Sequence, residues 1–80
     1  MNRIDRYLWK VERYLHHHYT VDEAYRLYEP LAWYIYTCRA SAGFIDRLLT
    51  IQPYVIGRIL AKGGSTDEAI ARVKARVWNA

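Results

Sequence analysis

The sequence predicts an all-α fold, a compact bundle of five or six short helices forming one domain over residues 1–80. Three observations carry that expectation. Apolar side chains recur at intervals of three and four, the period that gathers them on one face of an α-helix. Prolines, glycines and hydroxyl-plus-glutamate pairs punctuate the chain at helix-length intervals. Nothing in it alternates with the period of two that a half-buried strand requires.

Over residues 2–18, Ile4, Leu8, Val11, Leu15 and His18 fall on one stripe, which makes this the clearest helix in the chain. Thr20 with Glu23 three positions on has the spacing of a capping box, in which each side chain takes the other's free backbone N–H, so a second helix is expected to start there. Pro30 lacks an amide proton and clashes with the preceding turn. The second helix is therefore expected to stop near Tyr28, leaving residues 31–38, apolar around nearly their whole circumference, as a separate central helix covered by its neighbours. Phe44, Ile45, Leu48 and Leu49 mark a helix over residues 42–49. Pro53 suits the first turn of another that runs to about Lys62, where Gly63 and Gly64 end it. Ser65 and Glu68 repeat the capping-box spacing, and Ile70, Val73 and Val77 form the buried stripe of a last helix. Its acidic start, Asp67 and Glu68, and its basic Arg72, Lys74 and Arg76 oppose the helix dipole favourably.

A chain of 80 residues buries only roughly 60–65% of its unfolded surface, so its core must be dense. Apolar residues at 52%, including three Trp, eight Tyr and one Phe, supply that core and exclude disorder. Cys38, the single cysteine, permits neither an intrachain disulfide nor a thiolate metal cluster, and in so apolar a segment it is expected to be inert packing. The charged N-terminal residues do not read as an export signal. The longest apolar run, residues 31–36, falls far short of the ~20 residues needed to span a bilayer. A cytoplasmic protein with no membrane span is the expectation. A net charge of +4 points to phosphate or to an acidic partner without choosing between them.

The basic side chains are ordered. Arg3, Arg6, Lys10, Arg13 and His17 repeat at three, four, three and four along the first helix, roughly opposite its apolar stripe, and such a line can follow a phosphate backbone. Trp9 projects beside that line, and a Trp among basic residues often marks an interface. A second candidate surface lies on the helix that Pro53 opens. There Tyr54, Gly57, Arg58 and Ala61 share a face turned away from Ile56, Ile59 and Leu60, with Gly57 and Ala61 small enough to permit close approach.

Residues 44–60, with Gln52-Pro53-Tyr54-Val55 at the centre and Arg58-Ile59-Leu60 after it, resemble the helix-turn-helix of bacterial and phage DNA-binding regulators. The resemblance covers about a fifth of the chain, with no glycine in the turn and a Thr50-Ile51 connection one residue short of the pattern. It implies a recognition helix that reads base edges in the major groove with its N-terminal side chains. On that reading Arg47, Gln52, Tyr54, Arg58 and Lys62 form the DNA-facing set, while Arg3, Arg6, Lys10 and Arg13 contact phosphates.

Other constellations point to stability rather than chemistry. His16, His17 and His18 project about 100° apart on a helix and cannot converge on one ion. Glu12 with His16, or His18 with Asp22, offers two ligands where zinc takes three or four. Gly63-Gly64-Ser65 lacks the lysine and spacing of a P-loop, and Cys38 has no evident acid or base partner. No cofactor, no metal and no enzymatic activity are expected. The leading expectation is a small regulatory protein that binds DNA. The alternative is a phage or mobile-element protein that inhibits or adapts a host complex, setting surface Tyr and Trp with a basic rim against an acidic protein surface. A homodimer is compatible with either.

Overall fold

Among the described residues, four of the five helices begin on a side-chain oxygen that accepts an N-terminal amide. Asn2 precedes α1 (Arg3–His18), Thr20 precedes α2 (Val21–Tyr36), Ser41 precedes α3 (Ala42–Leu48) and Ser65 precedes α5 (Thr66–Trp78). The remaining helix, α4 (Pro53–Leu60), opens on a proline whose missing amide needs no acceptor. The computed structural model describes residues 2–79, and no strand occurs among them. The capping box at Thr20 is closed in both directions, Glu23 N donating to Thr20 Oγ1 and Thr20 N to Glu23 Oε1. At Ser65 only half of it forms. Glu68 N donates to Ser65 Oγ, but the Glu68 carboxylate pairs with Arg72 at 3.4 Å instead of returning to the cap.

The largest correction concerns α2, which runs unbroken through Pro30 from Val21 to Tyr36. Proline in a helix interior costs about 3 kcal/mol. On the two sides of it, however, Ala24, Leu31 and Ile35 enter the same core, and each fully buried Leu or Ile contributes about 1.5–3 kcal/mol. Burial on both flanks outweighs the missing hydrogen bond. Nor is the 31–38 stretch a central helix. Leu31 and Ile35 are buried, but Trp33 and Tyr36 face solvent. Cys38 is likewise exposed rather than packed, because it occupies the left-handed turn after α2 at φ +61°. There its amide donates to Ile35 O and that of Ala40 to Tyr34 O, closing the helix end.

The central position belongs to α4, which packs against α1, α2 and α5 and buries Ile56, Gly57 and Leu60. α1 lies against α4 and α2, while α3 rests on α5. Leu8, Val11 and Leu15 of α1 are fully buried, as the stripe predicts, and Ile4 packs at the edge of the core. His18 departs from that stripe, lying exposed with its ring 4.6 Å from that of Tyr14. Gly63 and Gly64, at φ +81° and +98°, end the run after α4 in a turn that Arg72 pins by donating to Gly63 O.

Candidate nucleic-acid interface

α1 has two flanks of opposite charge. Arg3, Arg6, Lys10, Arg13 and His17 are all exposed, and no ion pair engages any of them among the described residues. Asp5 and Glu12 do not offset this row because they lie on the other flank, toward α2. Tyr36 Oη donates to Asp5 Oδ1 at 2.6 Å, and the Glu12 carboxylate lies 3.8 Å from His16 Nε2. Burial, with the Glu12 and Asp5 carboxylates nearby, pushes the Tyr28 phenol up to about 12. Tyr36 is also raised, first because its hydroxyl is desolvated against α1 and then because it donates to Asp5, although its ring remains largely in water.

The basic flank meets the start of α4. Arg3, Arg6 and Lys10 form one wall of a groove of about 400 Å³, and Gln52 and Pro53 form the facing wall. Leu49, Thr50 and Ile51 lie between the walls, and no acidic residue lines it. No Asp or Glu occurs anywhere between Asp46 and Asp67. Tyr7, absent from the predicted core stripe, is only 6% exposed and also lines the groove. Its hydroxyl is buried without a hydrogen-bond partner in the protein, and burial raises its pKa well above the ordinary phenol range. An unsatisfied buried hydroxyl costs about 1–3 kcal/mol. Tyr7 stands three residues after Ile4 and four before Val11, so counting Tyr among the apolar residues would have placed it on the stripe.

The connection from α3 to α4 needs no glycine. Leu49 stays in right-handed helical conformation, and Thr50 N and Ile51 N donate to Arg47 O and Leu48 O, tightening the end of α3. Along α4 and into the turn after it, Tyr54, Arg58 and Lys62 lie exposed at four-residue intervals. Gly57 does not join that face, contrary to the sequence expectation. It is buried, and a Cβ built on it would collide with the Tyr14 ring of α1. The close approach that Gly57 permits is thus between two helices of the same chain, and it seats the basic flank of α1 beside α4.

Of the predicted residues, Arg3, Arg6, Lys10 and Gln52 line the groove, whereas Trp9, Arg13, Arg47, Tyr54, Arg58 and Lys62 do not. Arg47 donates to Trp78 O at 3.3 Å and stacks its guanidinium 5.3 Å from the Trp78 ring centroid, which ties α3 to the end of α5. Arg13 lies 5.1 Å over the Trp9 ring, confirming that Trp9 neighbours the basic row. The exposed aromatics concentrate elsewhere. Tyr25, Trp33 and Tyr36 on α2 are 57%, 62% and 56% exposed, and with Tyr28 and Ala32 they line a shallow apolar groove of about 310 Å³. An excess of aromatics too large for one core predicts that some reach the surface, but the expected covered helix over residues 31–38 places Trp33 and Tyr36 inside, whereas the structure exposes both. A wider cleft of about 910 Å³ separates α2 from α5, with Arg26, Glu29, Asp67 and Lys74 of both signs around it. No cluster of three or more His, Cys, Asp or Glu able to hold a metal occurs among the described residues. None of the described helices is long and apolar enough to cross a membrane.

No protein-family model, curated protein or solved structure matches this chain. A functional reading therefore rests on its own surfaces.

Proposed function

We propose that the chain is a non-enzymatic regulatory protein that binds duplex DNA through a continuous basic sector formed by α1 and α4. The groove carries this reading, because it joins the Arg3, Arg6 and Lys10 row to the start of α4 with no carboxylate between them. Tyr54 and Arg58 on the exposed side of α4, with Lys62 in the turn after it, extend the sector, and the helix-turn-helix resemblance of residues 44–60 supports the same use of that helix. Cationic side chains that neutralise backbone phosphates release condensed counterions, so binding of this kind weakens steeply with salt.

Fluorescence anisotropy with a labelled duplex tests the proposal. Affinity is expected to fall log-linearly with salt, and Lys10→Ala and Arg58→Ala are each expected to lower the salt slope by about 1. No binding at low salt would overturn it. The exposed Tyr25, Trp33 and Tyr36 favour a second reading, a protein partner docked on α2. Partner capture lost in Trp33→Ala but kept in Lys10→Ala would select that reading over DNA.

A further inference from the structure

We infer that the groove between α1 and the start of α4 is a phosphate-binding site that takes one phosphate group, either from a nucleic-acid backbone or from a free phosphorylated small molecule. The inference deepens the DNA reading by naming a ligand subsite, and it rests on that reading only for the source of the phosphate. Three independent features converge there. Arg3, Arg6 and Lys10 bring positive charge to one wall with no carboxylate lining the groove. Such like charges repel one another, and an oxyanion among them removes that repulsion.

The opposite wall is a helix N-terminus. Among the described residues α4 is the one helix that begins without a side-chain cap, and the Gln52 side chain makes no capping bond. Pro53 has no amide to offer, and the Tyr54 amide donates to no backbone carbonyl. The positive end of the helix dipole and the free Tyr54 amide favour an anion at this point. The third feature is Tyr7. Tyr7 lines the groove, and its hydroxyl is buried without an acceptor, a donor in want of one; a phosphate oxygen is a strong acceptor. At about 400 Å³ the groove accommodates a phosphate together with the sugar attached to it.

Proton–nitrogen NMR of the full chain, titrated with inorganic phosphate at ionic strength held constant with chloride, tests the site. Saturable shifts are expected at the Gln52 and Tyr54 amides. Tyr7→Phe should keep the native spectrum but weaken phosphate about tenfold, as for the loss of one hydrogen bond to a charged group. The double variant Arg6→Gln/Lys10→Gln should abolish saturation. Shifts that do not saturate, or that persist unchanged in the double variant, would overturn the inference. A nucleoside monophosphate and a DNA duplex form the other two arms. Tighter saturation by the mononucleotide than by phosphate, with no duplex binding, identifies a free ligand, supports the site and removes the DNA reading. Duplex binding that moves the same amides and is competed by phosphate identifies the backbone as the source. Duplex binding that leaves those amides unmoved and survives the double variant overturns the site while the DNA reading stands.

Discussion

Gly57 shows how a single residue decides where the basic row of α1 sits. Its missing side chain admits the Tyr14 ring between α1 and α4, and Tyr14 in turn packs against His18 at the end of α1, the two rings tilted. Gly57→Ala is expected to lower stability by about 1–3 kcal/mol, the usual effect of overpacking a close contact, read from the urea midpoint. If Gly57 were instead a small residue on an open face, the same change would be neutral or slightly stabilising, since alanine is the better helix former. Sequence alone leaves the two cases open. A glycine on a helix surface and a glycine under a neighbouring ring have the same local pattern, and only the pairing of α1 with α4, residues far apart in the chain, separates them. Cys38 was misread for a related reason. Its apolar neighbours suggested a buried thiol, whereas the demand for a left-handed residue after α2 holds it at the surface.

At the scale of elements, the signals that act locally were legible. Thr20 and Ser65 cap helices where their spacing to Glu23 and Glu68 indicates, Pro53 opens α4, and Gly63 and Gly64 close the turn beyond it. Pro30 was not legible, because its fate depends on what Ala24, Leu31 and Ile35 bury against rather than on its own conformational preference. Restoring the amide in Pro30→Ala is expected to raise stability by about 1–3 kcal/mol, somewhat less than the full penalty of a helix-interior proline. Denaturant unfolding with far-ultraviolet circular dichroism measures it, and a drop in stability would show that the ring of Pro30 is needed for packing. The candidate site divides in the same way. The row Arg3, Arg6, Lys10 and Arg13 could be read from helical spacing alone. Its juxtaposition with Gln52 and Pro53 is a tertiary fact that periodicity does not contain.

Across the whole molecule, three tyrosines are held protonated. Tyr28 is pushed up to about 12, and Tyr7 and Tyr36 are raised as well, from an ordinary value near 10. Because a raised phenol pKa favours the neutral form in the folded state, this stabilising contribution is complete below pH 10 and is lost as pH climbs from there toward 12. Urea midpoints measured across that interval are expected to fall, and a flat profile would mean that the hydroxyls ionise as freely in the native state as in the unfolded chain. Charge is also sorted in space, with Arg3, Arg6, Lys10 and Arg58 on the α1–α4 side and Asp5 and Glu12 turned toward α2. That sorting gives α1 a charge asymmetry across its width, positive toward α4 and negative toward α2. If the proposed polyanionic ligand is bound there, that asymmetry favours approaches that present the groove to it. The two flanks of α1 would then govern how fast an encounter becomes a complex, a kinetic contribution separate from how long the complex lasts.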